Sequence, residues 1–456
     1  MNEYLDDVMN SIGVGKFQWL LLLLLGISFI SDAMELVLIT FIVKPLQADF
    51  KSSSFILSLI ASGIFFGMFC GSMLMGPLSD TIGRKRSFVL CMALVSVGGL
   101  LSIASANHWV FLLCRMIVGI GVGGLHISVT LLSEFLPVDG RTLLITLLQG
   151  FWSIGVVLEV ALAWLLRDSS WRQLVLFTAL PAVVATLASV WLPESPLYLV
   201  STKKYREAKK VFQRIARINS CEVQIDTICD ENFQKEVRPV RSLYEKLRLI
   251  FSTQVYRRTL ICLLYLWFVG SFNYCGSLFL SADLDYGKFN HYATILMISL
   301  GEIFGKLISY LFLARWSRKT NISLCLLMCM TSLLVITVRD LAPMWLVIAS
   351  MLTFRIAISM YLTALSVYSP ECFPTEIRSS GFGISTSGSR IGGMMSPFIA
   401  IMVKSLNYSL SMGIFMASLC LGQLAVYLLP LETKEMSLNR KAGEEKLYKS
   451  TLKNEL

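Results

Sequence analysis

Charge is what this sequence has least of. Asp, Glu, Lys and Arg make up 15% of its 456 residues, against about 25% in a soluble domain. Other absences narrow the class further. No Walker loop, phosphate-cradling glycine run or nucleophile constellation occurs, which argues against an ATP-driven pump or an enzyme. None of the 11 cysteines stands at a Cys/His spacing suited to zinc, so neither a metal nor a cofactor is expected. The opening stretch "MNEYLDDVMNSIG" is acidic and lacks the basic region of a cleavable signal peptide.

What is present is apolar: 55% of the residues are hydrophobic, and the mean hydropathy is +0.67. The net charge of +10 could suggest a nucleic-acid binder. Its basic residues cluster in a few polar loops, which is a topology signal, and no nucleic acid is expected. A spanning helix needs about 20 apolar residues. Spans are predicted at 17–43, 54–75, 88–106, 109–132, 143–166 and 172–192, and again at 259–282, 292–314, 321–338, 344–369, 382–403 and 408–430. The expected organisation is a six-helix bundle over 1–192, a cytosolic linker over 193–258, a second bundle over 259–430 and a tail over 431–456. Lys and Arg concentrate in the loops that lie inside when the N-terminus is inside, so both termini are placed in the cytosol.

The short outer loops leave no room for a disulfide framework, and the cysteines are taken as packing residues. In the linker, "STKKYREAKKVFQRIARINSCEVQ" has apolar residues at helical spacing. It predicts a solvated helix against the cytosolic membrane face, with a partner-binding surface as the other reading.

The two halves repeat each other. "SEFLPVDGR" follows the fourth span and "PECFPTEIR" the tenth, giving Glu134, Pro137, Arg141 and Glu371, Pro374, Arg378 at one spacing. "LPESP" follows the sixth span and "LPLET" the twelfth. Such duplication is the usual build of secondary transporters. The loop "GPLSDTIGRKRS" holds Gly76, Asp80, Gly83, Arg84 and Lys85. Gly76 would let helix ends approach, Gly83 would permit a tight turn, and Asp80 could accept bonds from arginines such as Arg141. With Glu134, Arg141, Glu371 and Arg378 these residues form a candidate cytosolic gate. The second-half counterpart keeps Arg318 and Lys319 but has Ala314 where Asp80 stands.

These motifs carry a resemblance. The loop is similar to the major facilitator signature Gly-x-Leu-x-Asp-x-x-Gly-Arg-Lys, and "RMIVGIGVGG" to that superfamily's fourth-span signature. "PESPLYL" resembles its Pro-Glu-Ser-Pro-Arg-Trp-Leu, with Leu197 and Tyr198 in place of Arg and Trp. Within the superfamily, "DDVMNSIGVGKFQWLLLLLLGISFISDAMEL" and "PTEIRSSGFGISTSGSRIGGMMSPFI" resemble synaptic-vesicle-2-related proteins and organic ion transporters. The resemblance implies an all-α membrane protein of twelve transmembrane helices in two six-helix bundles. The missing acid at Ala314 implies a gate that leans on the N-terminal half.

Ionisable residues within spans are the functional candidates. Asp32 and Glu35 lie one turn apart near the middle of the first span, and Glu159 stands in the fifth. They read either as proton-coupling groups or, for the first two, as a structural pair with an arginine such as Arg115. Glu302 and Lys306 are four residues apart and can neutralise each other or contact substrate. Arg390, among Ser387, Gly388, Ser389, Gly392 and Gly393, could face a cavity and bind a carboxylate, or pair internally. The resemblance to organic ion transporters favours the first and implies an organic anion. Asn273 and Tyr274 could offer hydrogen bonds from a helix loosened beside Gly270 and Gly276. Arg115 and Arg355 correspond in the two halves and read as packing residues.

The expectation is a monomeric secondary transporter of a small organic solute in the lipid bilayer, working by alternating access and coupled to protons or to the solute gradient. The membrane would be the plasma membrane or that of an intracellular vesicle. A transporter-like sensor or trafficking protein that no longer moves solute is the alternative, kept open by Ala314.

Overall fold

The computed structural model describes residues 8–221, 243–374 and 377–433. Among them every regular element is a helix. The acidic start, Cys229, much of the expected linker and the end of the expected tail lie outside the described residues.

The chain divides into two compact units, Met1–Arg238 and Pro239–Leu456. The first holds α1 (Lys16–Phe50), α2 (Ser54–Ile82), α3 (Arg84–Ile103), α4 (His108–Gly123), α5 (His126–Glu134), α6 (Val138–Leu165), α7 (Trp171–Ser189), α8 (Pro196–Ser201) and α9 (Tyr205–Asn219). The second holds α10 (Leu243–Ser252), α11 (Gln254–Asp283), α12 (His291–Arg315), α13 (Arg318–Thr337), α14 (Met344–Glu371), α15 (Arg378–Pro397) and α16 (Tyr408–Leu428). Side-chain caps start many of these helices: Ser53, Asn107, Ser170, Asn290, Ser317 and Asn407 each accept from main-chain N–H groups of the following turn.

Packing repeats the sequence repeat. In the first unit α2 packs on α4, α1 on α6, α3 on α4 and on α7, and α1 on α7. In the second, the helices of the same ordinal place do the same: α12 on α14, α11 on α15, α13 on α14 and on α16, and α11 on α16. Small residues set the closest of these contacts. A Cβ on Gly67 of α2 would lie 2.3 Å from the Met116 carbonyl oxygen, and one on Gly119 of α4 would lie 2.1 Å from that of Ile64. Without an aqueous driving force between helices in lipid, close backbone approach supplies the association energy.

Among the described residues, eleven helices are long and apolar enough to cross a membrane. The segment expected to span at 382–403 is not among them. It is α15, rich in Ser and Gly, continued by a π-helical stretch Phe398–Val403. It packs closely on α11, where a Cβ on Gly388 or Gly392 would lie 2.1 or 2.3 Å from the Leu264 or Phe268 carbonyl oxygen. Those two glycines serve contact with α11. The fourth predicted span is also two segments, α4 and α5, interrupted where Gly123 and Gly124 press on the Met68 backbone and the Met75 side chain.

Other local expectations change too. Helix α11 is unbroken at Gly270 and Gly276, which make room for the Tyr361 and Phe415 rings. The apolar stripe of α9 is covered by protein and not by lipid: Phe212 and Ile215 are fully buried. Asn219 at its end accepts from Phe17 N and donates to Gln18 Oε1, both at 2.9 Å, so α9 closes the start of α1.

Candidate functional site

Each unit contains a buried charge cluster and, at one end, a network of main-chain and ionic contacts. In the first cluster Arg115 of α4 donates to Glu35 Oε2 on α1 at 2.6 Å and to Ser102 Oγ at 2.7 Å. Both partners of the ion pair are 1% exposed. Glu35 Oε1 has no hydrogen-bond partner among the described residues and lies 3.0 Å from where a Cβ on Gly99 would stand. Glu159 of α6 is fully buried, and the Thr178 hydroxyl faces both its oxygens at 3.1 and 3.0 Å. Among the described residues no cation forms an ion pair with Glu159. Asp32 is half-buried, one turn before Glu35. The predicted acids are therefore brought to one region of the bundle, with one guanidinium paired to only one of them.

The second cluster has the opposite balance. Arg355 of α14 donates to Glu302 Oε2 on α12 at 2.8 Å, closer than the expected partner Lys306, whose Nζ lies 3.6 Å from Oε1. Tyr274 of α11 donates to Glu302 at 3.0 Å, accepts from Arg355 at 3.0 Å, and its ring lies 4.2 Å below the guanidinium. Two cations thus share one carboxylate. Lys306 keeps 26% of its side chain exposed. Arg390 is half-buried and near enough to Cys275 to act on it electrostatically. Asn273 is buried and turned inward, donating to Val269 O and Ser418 Oγ. A cavity of about 20 Å³ touches Asn273, Ser277, Ser299 and Arg355. That is room for about one water, too little for an organic solute.

At the ends, Gly83 with φ 107 turns the chain from α2 into α3. Arg84 pairs with Asp80 at its own turn, donates to Ser79 Oγ at 2.6 Å and faces Glu134 at 3.5 Å. Lys85 gives its main-chain N–H to Glu194 at 2.9 Å and its Nζ to Val190 O at 2.8 Å. The second unit builds the same network from Arg318, Lys319 and Glu432: Lys319 N reaches Glu432 at 3.2 Å, Lys319 Nζ reaches Leu429 O at 2.8 Å, and Arg318 faces Glu371 at 3.4 Å. Arg141 and Arg378 each bond a carbonyl five residues earlier, those of Leu136 and Phe373. Where Asp80 has no counterpart, Arg318 Nη1 donates instead to Leu313 O at 2.8 Å. Gly76 is exposed, and within its unit a Cβ there would meet nothing, so it does not serve a close helix approach.

Sequence reasoning missed Glu194, Glu432, Ser102 and Thr178 as partners, and Thr433, whose hydroxyl donates to Glu371 at 2.6 Å. The repeated Leu-Pro…Glu blocks marked Glu194 and Glu432. Nothing in spacing marked the lone hydroxyls.

Two repeated units of long apolar helices, each with a buried charge cluster, are the architecture of the major facilitator fold. Residues 27–442 match the Sugar (and other) transporter family, and the chain belongs to that family. Synaptic vesicle 2-related protein of Bos taurus is 30% identical over 469 residues, covering 96% of this chain and 83% of the relative. Organic cation/carnitine transporter 7 of Arabidopsis thaliana is 28% identical over 480 residues, covering 95% of each. Among solved structures, a D-xylose-proton symporter superposes with a TM-score of 0.73 over 92% of this chain and 99% of that one, at 18% identity. The chain is a multi-pass membrane transporter, not an enzyme, and the Arabidopsis relative is named as a transporter.

Proposed function

We propose that the chain is a twelve-span, proton-coupled secondary transporter of a small organic solute carrying a carboxylate, working by alternating access with both termini in the cytosol. The observation that carries the coupling is the Glu35–Arg115 pair beside Glu159. Net charge buried in a spanning bundle is costly, about 2.5–3.5 kcal/mol per ion on insertion scales. Arg115 neutralises Glu35, so a proton on Glu159 would remove the charge of that fully buried acid, and its release would restore it. Glu35 is the partner that holds Arg115, and Asp32 extends the acidic path. The family supports the transport class, and the name of the D-xylose-proton symporter fits coupling of this kind.

The carboxylate preference rests on the second unit, where Lys306 and Arg355 both approach one carboxylate, that of Glu302, at 3.6 and 2.8 Å. The Arabidopsis relative is named for organic cations as well as for carnitine, which bears a carboxylate beside its quaternary ammonium. Asn273 and Tyr274 act on this reading by holding the cluster. The networks around Arg84 with Glu134 and Arg318 with Glu371 are the gate. The sensor alternative is not favoured, because the family is one of transporters and the second unit rebuilds its network around Ala314.

The test is uptake into proteoliposomes with and without a pH gradient, using carboxylate and neutral competitors. Accumulation that follows the gradient and is blocked selectively by carboxylates supports the reading. Ligand binding with no flux under either condition overturns it. Arg390→Ala should weaken carboxylate competitors far more than neutral ones.

A further inference from the structure

We infer that the first unit carries a binding site for a phosphate-bearing anion, supplied by the headgroup of an acidic phospholipid, in the cavity between the α2–α3 turn, the segment after α7, and α9. The cavity is about 450 Å³, within the range of about 300–1,000 Å³ typical of small-molecule pockets. Five basic side chains line it: Lys85 and Arg86 at the start of α3, and Lys204, Lys210 and Arg214 on or beside α9.

Two acids also line it, fewer than the five cations, so the lining stays basic. Glu194 Oε1 accepts the main-chain N–H groups of Lys85 and Ser195, at 2.9 and 3.0 Å, and its Oε2 is against Gly83. Glu207 lies one turn before Lys210 on α9, where it can neutralise at most one cation. Arg86, Lys204, Lys210 and Arg214 are all exposed. The basic face of α9 therefore has a concavity to fill, while its apolar face is spent on the protein through Phe212 and Ile215. A helix whose apolar face is already buried cannot bind a bilayer by insertion, which leaves charge as its means of meeting lipid.

The position fits a headgroup. Leu187, Val190 and Trp191 at the end of α7 are 65%, 58% and 75% exposed, an apolar collar immediately before the lining residues Leu192 and Pro193. Arg214 Nη2 donates to Trp191 O at 3.3 Å, so the basic wall is tied to that collar. Exposed Trp at the end of a span marks the headgroup level. In the topology proposed above this end faces the cytosol, the leaflet that carries acidic lipids. An anion here would bridge Lys85 of the gate turn to α9, which in turn closes the start of α1.

The test uses the full chain in phosphatidylcholine nanodiscs, with or without a minor fraction of phosphatidylinositol bisphosphate, and separately with soluble inositol hexakisphosphate. Melting temperature and binding are read at low and high salt. The lipid should raise the melting temperature in a salt-sensitive way, since binding to the folded state stabilises it. The double variant Lys210→Glu, Arg214→Glu should bind about ten-fold more weakly or worse, while Arg217→Glu, exposed on the same helix outside the cavity, should bind as the wild type. Both variants are compared in phosphatidylcholine alone, where equal melting shows that the fold is intact. A response to the lipid alone assigns the site to a headgroup, and a response to the soluble phosphate as well assigns it to phosphate from either source. No response in either arm, or one that survives the double variant, overturns the site. Binding is read without flux, so a failure of the transport reading leaves this result interpretable.

Discussion

Arg115 reaches Glu35 across 80 residues of chain and holds it at 2.6 Å with both side chains buried. The pair costs little only while it is closed. Glu35→Gln leaves the guanidinium without its charge partner inside the bundle, and the loss should be about 3–5 kcal/mol. A large fall in melting temperature in detergent checks this.

Glu159 has a neutral hydroxyl as its partner. Glu159→Gln should therefore melt near the wild-type temperature, keep solute exchange in the absence of a gradient, and lose accumulation driven by a pH gradient. Retained gradient-driven accumulation would remove Glu159 from the coupling path.

The two acids of the first end network should differ. Asp80 keeps 67% of its side chain exposed, and its pair with Arg84 is worth about 0–1 kcal/mol. Glu194 satisfies two main-chain N–H groups, and their loss costs about 1–3 kcal/mol each when buried. Asp80→Ala should be nearly neutral in melting temperature and Glu194→Ala clearly destabilising, with Glu432→Ala in the second unit behaving like Glu194→Ala.

Close packing gives a steric test. Gly119→Ala places a methyl 2.1 Å from the Ile64 carbonyl oxygen, a main-chain atom that cannot swing away. Expression of folded protein should fall sharply. Gly76→Ala meets nothing within its unit and should express normally. Fluorescence size-exclusion profiles of the two distinguish them.

Thiol labelling should follow burial. The Cys372 thiol is pushed above its ordinary range by burial, so its thiolate fraction at neutral pH is small. Cys221 is half-buried and should be alkylated well before Cys372, which reacts only after denaturation, as read by peptide mass spectrometry.

Much of the fold was legible because a bilayer imposes a simple rule: a backbone without water must be helical. Apolar runs gave eleven of the expected crossings, and the paired Glu-x-x-Pro-x-x-x-Arg blocks gave the repeat. The segment at 382–403 is less apolar than the other crossings, and its Gly388 and Gly392 serve contact with α11. The site was legible as a set of ionisable residues and not as partnerships. Glu302 and Lys306 stand at ion-pair spacing, yet the tighter bond goes to Arg355, 53 residues away.

The sequence alone determined that the chain is helical, membrane-embedded, duplicated and charged at a few buried points, since each follows from composition, period or repetition along the chain. Only the tertiary structure decided which acid holds Arg115, which is left to a hydroxyl, and where Arg318 turns when the position of Asp80 holds Ala314. Those choices depend on distances between helices far apart in sequence. At a few ångströms in a low-dielectric interior, such distances fix whether a charge is paired or exchangeable.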